Sequence, residues 1–340
     1  MMATMKKKNI IIDPIFARSL AELSLKSSDA ASQDLDLFGI MWMEHINLTV
    51  GSREIATIFY LETLGCTQDG KNANIGMQQF HIGTVDCENP QVLNGCIGLT
   101  LPCLNRLRQR LRSAEEKLNG TKFEWEDNGD FLSVRCPWGN IFCIWGSETV
   151  LLNNEPEQPT ADMPKMQILH LNVDKAMSVR PDSGNNGAGI RFVAFSVGPG
   201  KAEAIAKFYT NVFQSRCTIS NDSSSVAVCA GPSVDIIFTH DKHLWPQNEE
   251  SAKKAKGIHI CIYITHFIDT YKNLERRGLI WTNPRFRYLD SCDNFKEALA
   301  SRQFRFKSIT DDNGKILELE HETRSSRHVQ YFKSQPWSVC

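Results

Sequence analysis

Imidazole, phenol, thiol and carboxylate side chains recur on one face of alternating apolar segments in this 340-residue chain. In Met43–Val50, side chains alternate between two faces, with Ile46, Leu48 and Val50 on one and His45, Asn47 and Thr49 on the other. Gly257–Ile264 repeats the device: Ile258, Ile260, Ile262 and Ile264 share a face, and His259, Cys261 and Tyr263 share the opposite one. Lys315–His321 sets Ile316, Glu318 and Glu320 against Leu317, Leu319 and His321, and Met77–Ile82 carries His81. Side chains of these types exchange protons with a substrate or orient it when a rigid scaffold gathers them. No glycine-rich phosphate loop, nucleophile elbow or Ser-His-Asp constellation accompanies them, so phosphoryl transfer and serine hydrolysis drop out of the reading.

The elements that must position these residues come as four repeats of one order: an alternating strand, an amphipathic helix, then shorter strands punctuated by Gly, Asn or Asp. The first repeat has its helix over Arg53–Leu64, with Ile55, Ile58, Phe59 and Leu61 on a helical stripe and Gly65 as the stop. The second runs from strand Cys96–Leu101 through helix Leu104–Leu118 to strands Phe131–Cys136 and Asn140–Trp145. Its apolar stripe of Leu104, Leu107, Leu111 and Leu118 assigns Arg106, Arg108, Arg110 and Arg112 to a solvated face. The third alternates Arg191, Val193, Phe195 and Val197 against Phe192, Ala194 and Ser196, followed by helix Ala202–Phe213. The fourth pairs Gly257–Ile264 with helix Phe267–Arg277, stopped by Gly278. Residues 149–188, with Asn, Pro and Gly clusters around one candidate strand at Met166–Val173, read as a linker, and residues 1–41, with a weak helical stretch near Ile15–Leu25, as a mobile or loosely docked leader. The expected division is 42–148 for a first domain, 189–323 for a second and 324–340 for a tail.

Composition sets the outer limits. With 41% hydrophobic and 23% charged residues and a formal net charge of -1, the chain is globular, and nothing marks nucleic acid as a partner. No stretch is apolar and long enough to read as a transmembrane helix. Eleven cysteines lacking CxxC spacing and an export signal point to free thiols and a cytoplasmic setting.

Four stretches carry a resemblance to a known superfamily: Glu44-His-Ile-Asn-Leu-Thr-Val with Ile58-Phe-Tyr-Leu-Glu-Thr-Leu-Gly, Gln79-Phe-His-Ile, Gly257-Ile-His-Ile-Cys-Ile-Tyr-Ile, and Asn313-Gly-Lys-Ile-Leu-Glu-Leu-Glu. They resemble the vicinal-oxygen-chelate proteins, of glyoxalase and extradiol-dioxygenase type, over roughly residues 43–146 and 190–321. The resemblance implies an α+β fold of two tandem domains, each of two βαβββ units whose mixed sheets curve into a half-barrel cup. It further implies a divalent metal (Fe, Zn, Ni or Mn), held by residues on the first and last strands of each unit, that chelates neighbouring oxygens of a small molecule.

Carried onto this chain, the metal addresses are His45 and His81 in the first domain and His259 and Glu318 in the second. Glu320 is the candidate base, and Tyr263, Cys261 and Ser196 are candidate substrate contacts. Cys96 and Cys143 stand where histidine and glutamate are expected; with His45 and His81 they form a tetrahedral zinc set or else simply pack. Phe192 occupies the third unit's counterpart of His45, leaving the second domain short of a ligand. Trp281 and Arg285-Phe-Arg-Tyr288 fall where the resemblance puts the pocket mouth. Two functions stay open: a metal-dependent lyase, isomerase or dioxygenase on a small oxygenated molecule, or a metal-free binding or sequestering protein. Either would be a monomer or homodimer.

Overall fold

The computed structural model describes residues 10–32, 39–83, 90–146, 189–231, 233–240 and 249–331. The whole of the expected linker, 149–188, with Met166–Val173, lies outside the described residues. Helix α1 (Pro14–Ser32) precedes the first unit, which consists of β1 (Ile40–Asn47), α2 (Arg53–Ala56, continuing as a π-helical turn Thr57–Thr63), β2 (Thr67–Asp69), β3 (Asn72–Ile75) and β4 (Gln78–His81). The second unit is β5 (Gly95–Leu101), α3 (Leu104–Lys117), β6 (Glu124–Asp127), β7 (Phe131–Arg135) and β8 (Ile141–Gly146). The third is β9 (Gly189–Ser196), α4 (Ala202–Phe213), β10 (Cys217–Ile219), β11 (Ser225–Cys229) and β12 (Asp235–Thr239). A short helix, α5 (Glu249–Ala255), leads to the fourth: β13 (His259–Ile264), α6 (Phe267–Arg276), α7 (Arg287–Asp290), α8 (Phe295–Ser301), β14 (Gln303–Asp311) and β15 (Gly314–Ser325).

Three units are complete βαβββ motifs. The fourth keeps two long strands after its helices, with a single bridge from Ile280 to Phe306 in place of a further strand. The expected helix stops hold: Gly65 and Gly278 both take positive φ, +80° and +66°, where a Cβ would be strained. The π-helical turn in the first unit closes with Leu64 N–H donating to Phe59 O, a wider turn that buries both Phe59 and Tyr60.

Strand pairing does not follow the order of the units along the chain. The seven-stranded sheet runs β14-β15-β13-β1-β4-β3-β2, joining the first unit to the fourth, and the eight-stranded sheet runs β10-β11-β12-β9-β5-β8-β7-β6, joining the second to the third. Both seams are antiparallel central pairs, β1 with β13 and β5 with β9. Neither sheet is therefore built within residues 42–148 or 189–323 alone. The helix-facing sides of both sheets share one apolar core that includes Ile46, Phe59, Phe142, Phe208, Phe238 and Ile260. His321 belongs to that side: its Nδ1–H donates to Leu319 O and its Nε2 accepts from Tyr209 Oη at 2.6 Å, which satisfies a fully buried imidazole.

The opposite sides are the cups. The first, from units one and four, has a polar floor; the second, from units two and three, has an apolar floor covered by α1. Residues 14–32, expected as part of a loose leader, form a docked helix. Asp13 caps it by accepting from the amides of Ile15 (2.8 Å) and Phe16 (3.2 Å), Pro14 takes the first helical position, and Phe16, Ala17, Leu20, Ala21 and Leu23 are buried against the second cup.

Candidate metal centre

Register across five strands assembles the floor of the first cup in rows. Gln79, His45, Cys261, Glu322 and Arg305 pair laterally from β4 through β1, β13 and β15 to β14, and the neighbouring row is His81, Asn47, His259 and Glu320. A register shift between Met43 and His45 breaks the strict alternation of β1. Through this irregularity both Glu44 and His45 reach the same polar cluster, a common use of β-bulges beside functional sites.

His45, His259 and Glu322 bring one ligand atom each within 4.8 Å of one another. Glu322 Oε2 lies 3.9 Å from His45 Nε2 and 3.7 Å from His259 Nε2. His45 Nδ1 is 3.0 Å from Glu44 Oε2; a carboxylate accepts, so Nδ1 carries the proton and Nε2 holds the lone pair. That Nε2 is buried with no hydrogen-bond partner, the state expected of a nitrogen awaiting an electrophile. Burial, with Arg305 nearby, pushes the His259 imidazole down to about 3, so it too is a neutral donor. The donor set fits a divalent ion.

Four buried carboxylates (Glu44, Asp290, Glu320, Glu322) face two guanidiniums, buried Arg305 and half-buried Arg324. Glu322 is held as the anion: desolvation opposes its charge, but Arg324 and Arg305 hold it well below the usual carboxylate range. Arg305 Nη2 donates to Glu322 Oε2 at 2.6 Å, and Arg324 Nη2 donates to Glu322 Oε1. Desolvation raises Asp290 and Glu320, easing the crowding of negative charge.

The remaining expected residues divide between the cups. His81 is beside the cluster, but its ring stacks on His45 with centroids 3.5 Å apart and planes 15° apart. Imidazole lone pairs lie in the ring plane, so two parallel rings at this spacing do not converge on one ion. Gln79 Nε2 donates to Asp69 (2.8 Å) and Asn74 (2.5 Å), which turns Gln79 Oε1 toward His81 Nε2 at 2.9 Å. His81 Nε2 is thus the protonated nitrogen, and Nδ1 keeps a lone pair.

Tyr263 and Cys261 are in the first cup: Tyr263 Oη donates to Glu44 Oε1 at 3.2 Å and accepts from Arg324, and the Cys261 thiol, raised by burial, faces Glu44 and His45. Glu320 accepts from Asn283 Nδ2 on both oxygens, at 2.9 and 3.0 Å, and from Arg305. Glu318 shares its face with Glu320 but is exposed, pairing with Lys315 at 3.3 Å and Lys307 at 3.6 Å beyond the edge of the cup. Ser196 is on β9, in the other sheet. Cys96 and Cys143 are also in that sheet, so His45, His81, Cys96 and Cys143 do not share a site, and the two thiols pack in an apolar cluster.

The carboxylate that completes the cluster is Glu322. The expected strand ended at His321, whereas β15 runs to Ser325, and the same alternation that aligns Glu318 with Glu320 carries on to Glu322 and Arg324. Of the expected mouth residues, Phe286 reaches the site, its ring edge-on to His259 at 6.0 Å and 4.8 Å from the Arg305 guanidinium, while Tyr288 is exposed.

No family model matches the chain, and no curated protein matches it. Solved structures give likenesses of architecture. Glyoxalase I from Zea mays is 12% identical, with 84% of this chain and 92% of that one covered at a TM-score of 0.45. A 2,3-dioxygenase from Pseudomonas sp. KL28 is 13% identical (85% and 93% covered, TM-score 0.27), and a Mn(II)-bound glyoxalase from Novosphingobium aromaticivorans is 11% identical (85% and 83%, TM-score 0.26). The chain is an α+β protein whose four units build two mixed sheets of seven and eight strands. Its two cups, however, differ in what they can hold. Among the described residues no helix is long and apolar enough to cross a membrane.

Proposed function

We propose that the first cup is the reactive centre of a metal-dependent enzyme acting on a small oxygenated molecule, with His45, His259 and Glu322 as the protein ligands. The observation that carries this reading is the orphaned Nε2 of His45, buried and aimed at a carboxylate and a second neutral imidazole while Glu44 fixes its tautomer. Two histidines and one carboxylate on one side of an ion leave open positions, the arrangement associated with non-haem iron(II) and oxygen chemistry, and a divalent ion there supplies Lewis-acid polarisation of neighbouring substrate oxygens. Within the lyase, isomerase and dioxygenase classes this favours the dioxygenase.

The chain's own residues have assignable parts. His81 Nδ1 keeps a lone pair, and burial, with His45 beside it, holds the ring well below the usual imidazole range, so it serves as a neutral hydrogen-bond acceptor for a bound hydroxyl. Glu320, the other candidate base, is held on both oxygens and serves better to fix Asn283 and Arg305. Phe286 covers His259 and keeps that side of the site apolar. The nine described cysteines are free, which supports a reducing, cytoplasmic setting.

The test is metal content by elemental mass spectrometry on full-length protein purified without chelator and reconstituted in turn with iron(II), manganese(II), nickel(II) and zinc(II). About one ion per chain is expected, lost in His45→Ala and His259→Ala and retained in Cys143→Ala. A chain that binds none of the four, or a His45→Ala variant that binds as the wild type does, overturns the assignment. One observation supports a metal-free binding protein instead: both Glu322 oxygens already accept from arginines. That reading predicts an organic ligand that raises Tm equally with and without chelator.

A further inference from the structure

The second cup has the same framework and a different content. At the positions equivalent by register to His45, His259 and Glu322 it carries Phe192, Cys96 and Cys143, and its floor also includes Phe131, Trp145 and Ile237. One carboxylate stands among them: Asp235 on β12, fully buried and paired across the sheet with Phe192.

Helix α1 answers both features. Its apolar stripe lies on the aromatic floor, and one turn apart Ser24 Oγ and Ser27 Oγ each donate to a separate Asp235 oxygen at 2.6 Å. Arg18 clamps the rim, donating to both oxygens of Asp130 (3.0 and 2.7 Å) with its guanidinium 5.5 Å from the Phe131 ring. The four helices of the units pack on the shared core behind the sheets, whereas α1 lies on the opposite face, the one whose counterpart in the other sheet carries the polar floor. Its connection matters too. The strand that follows α1 is β1, which belongs to the other sheet, so α1 can leave the second cup without withdrawing a strand from either sheet.

We propose that α1 is a displaceable resident ligand of the second cup, and that undocking it opens a site for apolar organic molecules bearing a hydrogen-bond donor for Asp235. The cup recognises its occupant as a binding pocket does, through a broad apolar surface and one polar group that fixes orientation. Burying the helix stripe offsets the cost of burying Asp235, whose oxygens are satisfied only while two donors face them. A ligand replacing the helix must supply an apolar surface and a donor for Asp235.

The probe is N-phenyl-1-naphthylamine, an uncharged apolar dye with one N–H donor that fluoresces in apolar surroundings. It is titrated into the full-length wild type and full-length Leu20→Asp, which puts a charge in the centre of the helix interface. Leu20→Asp is expected to bind the dye saturably and at least tenfold more tightly than the wild type. A synthetic peptide of residues 10–32 should displace the dye, and the same peptide carrying Leu20→Asp should not. A cooperatively folded Leu20→Asp protein that binds no dye, or whose dye the peptide leaves in place, overturns the proposal. Should Leu20→Asp fail to fold, hydrogen exchange on the full-length Ser24→Ala/Ser27→Ala protein decides: amides of 14–32 exchange at least tenfold faster with β9 and β12 unchanged if the helix is a separable occupant. Exchange of 14–32 only in step with those strands overturns it.

Discussion

In the first cup the residue on β1 opposite Cys261 is His45, and in the second the residue on β9 opposite Gly98 is Phe192. The two exchanges belong together. A Cβ on Gly98 would sit 2.4 Å from the Phe192 ring, so the larger side chain on one strand is accommodated by the absent one on the other. The same logic runs outward. Glu322, between two arginines, corresponds to Cys143, which pairs with Ser133 where Glu322 pairs with Arg305; Gln79, which orients His81, corresponds to Asp235, which holds α1. One framework thus supports a charged, donor-rich floor and a dry one, and the difference lies in a handful of inward positions while the helix-facing core stays continuous. Fold and function are separable at this resolution of residues.

The largest expected break in that contrast is Glu322→Ala. It removes the counter-charge that buried Arg305 and half-buried Arg324 share, and unfolding in urea should show a loss of about 3–5 kcal/mol. Cys143→Ala, at the equivalent place in the second cup, removes one sulfur from an apolar cluster and should cost less. Equal losses in the two variants would show that the first cup's charge network carries no special stability.

Next in size is a pH effect confined to the second cup. Burial raises Asp235 to about 7, against the lowering influence of Ser24, Ser27 and Arg191; Cys217 and Cys229 are the other titratable groups that face it. A folded-state value above the unfolded one means that the native protein binds the extra proton. Stability is therefore lost as pH rises from about 4 to about 7, on the order of 2–3 kcal/mol between pH 5 and 8. The difference between wild type and Asp235→Asn, followed by denaturation across that range, isolates the contribution. A wild-type curve parallel to that of the variant would mean that Asp235 is not a buried, proton-linked latch.

Much of this could be seen in the residue pattern, and the reason is period. Alternation in Met43–Val50 and Gly257–Ile264 identifies the strands and puts His45, His259, Cys261 and Tyr263 on the polar side, where the structure has them. Pattern within a segment says nothing about which distant segment it pairs with, so His45 was matched with Cys96 and Cys143 rather than with His259, and Ser196 was assigned to the wrong cup. Glu322 was one alternation beyond the point at which β15 seemed to end. The weak helical stretch near Ile15–Leu25 marks where helix α1 lies but not that it docks, and its start is signalled by the cap, with Asp13 accepting from the first amides and Pro14 at the first helical position. Its stripe gains meaning only from the apolar cup that receives it.

A smaller effect, about 1–3 kcal/mol, is expected of Gly98→Ala, because a methyl group driven into the Phe192 ring overpacks a floor with no slack. Phe192→Leu, by vacating ring volume over that glycine, should recover part of the loss when combined with Gly98→Ala, giving a coupling measurable in a double-mutant cycle. Additivity would mean that the two positions do not compensate each other.

The smallest effect sharpens the edge of the first cup. Glu318 is on the same face as Glu320 and Glu322, but it is exposed and paired only with lysines at the end of the strand. Glu318→Ala should change stability by less than about 0.5 kcal/mol and leave metal content unchanged. If metal were lost with Glu318→Ala and kept with Glu322→Gln, the ligand set would have to shift along β15 by four residues, away from His45 and His259, and the orphaned imidazole nitrogen would need another explanation.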